Sequence, residues 1–84
     1  MKITFKLFAM LTDYLPHEAR STNVIEIEVP AGATVGQVIE RFALPPKLVH
    51  LVLVNGVYVE PVQRSARALQ EGDTLAIWPP IAGG

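Results

Sequence analysis

Eighty-four residues, half of them apolar, make one small folding unit with a thin but real core. Seven basic and eight acidic residues are scattered to a net charge of −1, which argues against nucleic-acid binding. The absence of cysteine excludes disulfides, thiolate catalysis and cysteine metal sites, and no apolar run reaches the ~20 residues needed to cross a bilayer.

The opening Lys2 to Phe8 alternates, with Ile3, Phe5 and Leu7 on one face and Lys2, Thr4, Lys6 and Phe8 on the other. Met1-Lys2 leads straight into this strand with no signal peptide, so a cytoplasmic protein is expected, without membrane contact. Thr12 to Thr22 is polar, contains Pro16 and reads as a loop, with a helical turn near Ala9–Leu15. His17 and His50 have no paired-ligand spacing, and no metal site is expected. Asn23 to Pro30 alternates again, Ile25, Ile27 and Val29 opposing Glu26 and Glu28.

Ala31-Gly32-Ala33 makes a turn. Thr34 with Gln37 forms a capping box, and Val35, Val38, Ile39 and Phe42 follow at helical spacing until Pro45-Pro46 ends the helix. Two turns are marginal alone, so this helix has to lean on a sheet. Leu51 to Val54 is apolar on both faces, as a central strand is. Asn55-Gly56 is a hairpin signal, and Val57, Tyr58 and Val59 return with both valines inward. Arg64 to Leu69 is irregular or one short turn. Glu71-Gly72-Asp73 turns into a last strand, Thr74 to Trp78, with Leu75 and Ile77 inward.

The order strand, strand, helix, strand, short strand, strand predicts an α+β fold: a mixed four- to five-stranded sheet with one main helix on one face. With the first and last strands parallel neighbours at the centre, that is a β-grasp, or ubiquitin-like, arrangement. Residues 1–80 are expected to form it, and 81–84 a flexible reactive tail.

Phe8, Tyr58 and Trp78 fall on the outward faces of their strands. Together they predict a docking patch for a partner protein. Pro79-Pro80 stops the ladder and sends the chain away from the sheet as a stiff stem beside Trp78. Ile81, Ala82 and Gly83 then give a thin tail for threading into a partner. Gly84 presents an unhindered carboxylate for chemical activation.

Asn55-Gly56, Leu69-x-x-Gly72-Asp73 and Pro79-Pro80-x-x-Gly83-Gly84, with the opening Lys2-Ile3 through Leu7-Phe8-Ala9 and Leu11, resemble the MoaD/ThiS family of sulfur-carrier proteins. The resemblance covers essentially the whole chain, and its specific part is the C-terminal motif. It implies that an E1-like enzyme of the MoaB/MoeB/ThiF type uses Mg-ATP to adenylate Gly84. A sulfur source then converts the adenylate into a thiocarboxylate, and the carrier itself binds no cofactor. The double proline and the length resemble MoaD more than ThiS. That implies molybdopterin synthesis with a large MoaE-like subunit, and a non-catalytic carrier acting as the small subunit. Open alternatives are a thiazole synthase-like acceptor in thiamine synthesis, another thiolation pathway, or a ubiquitin-like modifier joined to lysines. By position, Phe8, Tyr58 and Trp78 match the family's partner contacts. Thr12-Asp13 stands where family members often carry Arg-Glu, so a contact made through that arginine is missing here.

Overall fold

The structure is a computed structural model that describes residues 1–80; the expected tail, 81–84, lies outside the described residues. Alternating apolar side chains produce strand β1, Lys2–Leu7, whose Ile3, Phe5 and Leu7 are fully buried. Short 3₁₀ turns follow at Ala9–Tyr14 and His17–Ala19. The first of them buries Leu11, and Leu15 just beyond it is buried as well. Strand β2 is Val24–Glu28, helix α1 Val35–Arg41, β3 Leu51–Val54, β4 Val57–Tyr58 and β5 Thr74–Trp78.

These strands form one sheet in the order β2-β1-β5-β3-β4. β1 and β5 run parallel, and every other pair is antiparallel. The parallel pair at the centre and one main helix, with five strands among the described residues, make this the β-grasp, ubiquitin-like architecture. Ile3, Phe5, Leu7, Ile27, Val52, Val54, Leu75 and Ile77 pack with Val35 and Val38 of α1 into one core. Phe42, just past the helix, sets its ring 4.6 Å from that of Phe5, centroid to centroid.

The helix is short, so its ends carry much of its definition. Its first three N–H groups have no partner inside the helix. Gln37 N–H donates to Thr34 Oγ1, and Thr34 N–H donates back to Gln37 Oε1, completing the capping box. Val35 and Gly36 donate instead to the carbonyls of Arg67 and Arg64, in the segment read from sequence as irregular. That segment lies so close that a Cβ on Gly36 would stand 3.1 Å from Ser65 Cα and 3.2 Å from the Arg64 carbonyl oxygen. A glycine that weakens an isolated helix here leaves room for the close approach of a second backbone.

Two expectations need correction. Pro45-Pro46 does not end the helix, which stops at Arg41. Ala43 takes the left-handed conformation (φ 55°), with Ala43 N–H bonded to the Glu40 carbonyl and Leu44 N–H to that of Ile39. This is a Schellman cap, closed by burial of Leu44. The prolines come afterwards, Pro46 opening a 3₁₀ turn, Pro46–Leu48. The second correction concerns Val57. It is paired with buried Val54, yet it is 66% exposed, whereas Val59 is buried as expected. A two-residue edge strand has no neighbour on its outer side, so Val57 lacks the cover that Val54 receives.

Candidate functional site

Registers across the sheet fix what the face opposite α1 presents. One row reads Glu28–Lys2, and the next Glu26–Thr4–Thr74. The third reads Val24–Lys6–Ala76–Leu53–Tyr58. Leu51 then pairs with Trp78 at the end of β5. Polarity therefore changes along the strands: charged and hydroxyl side chains stand where β5 begins, apolar ones where it ends. This follows from strand alternation, because the outward residues of β5 run Thr74, Ala76, Trp78.

At the apolar end Phe8 and Trp78 stack face to face, ring centroids 4.0 Å apart and planes within 2°. Phe8 lies just beyond β1 in extended conformation, and its N–H donates to the Ile77 carbonyl, which brings the two rings side by side. Both rings are half-buried: each covers one face of the other and leaves apolar surface open. Pro79, next in the chain, is buried, while Pro80 is exposed. The β5 ladder closes with His50 N–H donating to the Trp78 carbonyl. The apolar patch thus sits beside Pro79 and Pro80, the last of the described residues.

The expected aromatic trio is brought to one face but not to one cluster. Tyr58 is half exposed and stands opposite Leu53 on β4, two strands from Trp78, a lateral separation of about 10 Å. Leu51 and Leu53, both half-buried, fill the gap between them. Sequence reasoning missed these two as surface residues, although the apolar run on both faces of β3 was their signal. The four tail residues Ile81, Ala82, Gly83 and Gly84 lie outside the described residues.

Arg64 was missed too, and no local pattern marks it. It is half-buried, and its guanidinium donates to the carbonyls of Val59 (3.1 Å), Val49 (3.3 Å) and His50 (3.1 Å). One side chain therefore ties the loop after β4 to the residues entering β3, of which His50 also bonds the Trp78 carbonyl of β5. A groove of about 430 Å³ beside it is lined by Ile39, Pro46, Val49 and Pro61. Thr12, at a position where the sequence departs from the family pattern, spends its hydroxyl on the Ala9 carbonyl at 3.0 Å, and Asp13 is exposed.

Among the described residues no three His, Asp or Glu side chains converge as a metal site, and no helix is long and apolar enough to cross a membrane. What the described residues present is a half-open apolar patch at the end of the sheet, beside Pro79-Pro80.

The model of the ThiS family matches residues 14–84. Comparison with curated proteins returns no match. Among solved structures, SAMP1 from Haloferax volcanii is similar over the whole of both chains, at 26% identity and a TM-score of 0.71. A putative molybdopterin converting factor subunit 1 from Pyrococcus furiosus is similar over 96% of this chain and 99% of its own, at 24% identity and a TM-score of 0.70. The thiamine biosynthesis protein ThiS from Geobacter metallireducens matches over the whole of both chains at 14% identity and a TM-score of 0.66. The last two likenesses bear on the fold alone.

Proposed function

The chain belongs to the ThiS family of ubiquitin-like sulfur carriers, and we propose that it carries sulfur as a thiocarboxylate on Gly84 for molybdopterin synthesis. The observation that carries this reading is the stacked Phe8–Trp78 pair at the root of Pro79-Pro80. It is an apolar docking patch placed where a partner that grips it also receives residues 81–84.

In this reading the Gly84 carboxylate, a poor electrophile, attacks the α-phosphate of ATP inside an E1-like adenylating enzyme. Pyrophosphate leaves and an acyl-adenylate remains. A sulfide sulfur then attacks the acyl carbon and AMP departs, leaving the thiocarboxylate; a persulfide in its place leaves an acyl disulfide, whose S–S bond a second thiol cleaves to release the thiocarboxylate as a new disulfide forms. Ile81, Ala82 and Gly83 thread the acceptor's channel, and Phe8, Tyr58, Trp78, Pro79 and Pro80 hold the domain against its mouth. This chain supplies position and a carrier group, and the partners supply the catalytic groups. Mg-ATP belongs to the activating enzyme.

The choice of molybdopterin rests on the double proline before the diglycine and on the resemblance to MoaD. A MoaE-like large subunit is then the acceptor. The second reading, a ubiquitin-like modifier, is favoured by the 26% identity with SAMP1, a small archaeal modifier protein. A thiazole synthase-like acceptor remains the alternative within sulfur transfer.

Separation of these readings needs the thiocarboxylate-bearing chain and each acceptor in turn. The expected result is that a MoaE-like subunit with its pterin substrate returns Gly84 to a carboxylate while a dithiolene forms. Turnover with a thiazole synthase-like enzyme alone would move the assignment to thiamine. Isopeptide adducts between Gly84 and lysines of other proteins would move it to the modifier.

A further inference from the structure

We propose that Asn55 is a site of slow covalent modification, deamidation through a succinimide with Gly56, held inert in the folded chain by Asp73 and Thr74. The reaction needs no enzyme. The Gly56 backbone nitrogen attacks the Asn55 side-chain carbonyl carbon, and a C–N bond forms. The bond to Nδ2 breaks, and ammonia leaves with the proton lost by Gly56. Water then opens the five-membered imide at either carbonyl, leaving aspartate or isoaspartate. Glycine is the follower that most exposes its nitrogen, because no side chain shields it.

The fold withholds both reactants. Asn55 (φ 52°) and Gly56 (φ 81°) are the central residues of a type I′ hairpin turn, whose backbone is set by the β3–β4 ladder. Asn55 Nδ2 donates to Asp73 Oδ1 at 2.8 Å, and Asn55 Oδ1 accepts from Thr74 N–H at 2.9 Å. The Asn55 N–H donates to the Thr74 carbonyl, also at 2.9 Å. Asp73 is buried and is itself held, its Oδ2 accepting from Gln70 N–H at 2.8 Å. The Thr74 contact polarises the amide carbonyl and by itself would assist attack. Turning that carbonyl toward the Gly56 nitrogen, however, breaks both side-chain bonds at once. Once modified, residue 55 carries a carboxylate facing Asp73 and has lost the donor that joined them. Like charges then meet where β3 and β5 were clamped, so the damage feeds back on the clamp.

The test incubates the full chain in mildly alkaline buffer and follows the amide-to-acid mass change at residue 55 by peptide mapping. Asn23, the other asparagine, serves as internal reference. Folded wild type is expected to react at least about tenfold more slowly than Asp73→Ala or urea-unfolded wild type, since the clamp includes a charge-assisted hydrogen bond. Val38→Ala, destabilised far from the hairpin, is expected to stay slow while folded. Where Asp73→Ala does not fold, Asp73→Val, which has no side-chain acceptor and matches the aspartate in size, takes its place. Equal rates in folded wild type and the Asp73 variant overturn the proposal. So does a folded Val38→Ala as fast as the Asp73 variant, or an unfolded chain that leaves Asn55 intact.

Discussion

The proposed function gives Trp78 two jobs whose energies separate. Stacking on Phe8 contributes on the order of 1 kcal/mol beyond simple burial, and the proposal assigns the outer face to a partner. Trp78→Ala is therefore expected to weaken binding of the adenylating enzyme by about 2 kcal/mol or more, measured by titration calorimetry with the fold checked by circular dichroism. Unchanged affinity with lost stability would make the ring structural. Arg64 is the opposite case, because its hydrogen bonds all lie within the domain. Arg64→Met removes the cation from three carbonyls, and a loss of about 2–3 kcal/mol in urea unfolding is expected. The outward phase of Phe8 and Trp78 was legible because alternation is a local property of each strand. Arg64 was not, since its partners lie 5, 14 and 15 residues away and no spacing records them.

Helix α1 shows how an element this short is defined from outside. Its first two N–H groups are satisfied by Arg67 and Arg64, so the 64–69 segment and the helix start stand or fall together. Gly36→Ala would raise helix propensity by about 1 kcal/mol in isolation. Here the added methyl meets backbone at 3.1 and 3.2 Å, which cannot swing aside, so a net loss of stability is expected in thermal unfolding. Ala43→Gly should act in the other direction and stabilise by up to about 1 kcal/mol, because alanine is strained in the left-handed conformation of the cap. The capping box was readable from Thr34 and Gln37 because both partners sit within one turn. The stop at Arg41 was not, since an alanine at the left-handed position carries no glycine signature and Pro45-Pro46 offered a louder breaker. Val57 misled for a related reason: alternation gives the face a side chain points to, and burial also needs something to cover it.

At the scale of the molecule, the sheet sorts its tasks by face and by end. The face under α1 holds the core, and the opposite face grades from Lys2, Glu26 and Glu28 at one end to Phe8, Trp78 and Leu51 at the other. Parallel pairing of β1 with β5 carries this gradient across both strands, because it brings Phe8, just past the end of the first strand, to the end of the last, beside Pro79-Pro80. The element order made that pairing predictable, and Leu51 and Leu53 complete the patch once β3 is laid against β5. The central claim, that this patch serves a tail loaded with sulfur, is met most directly by intact-mass spectrometry. The chain would be incubated with Mg-ATP, an E1-like adenylating enzyme and a sulfur source. A mass gain matching one oxygen replaced by sulfur is predicted, localised to the Gly83-Gly84 peptide and abolished when Gly84 is deleted. An unchanged mass, or a gain that survives the deletion, would contradict it.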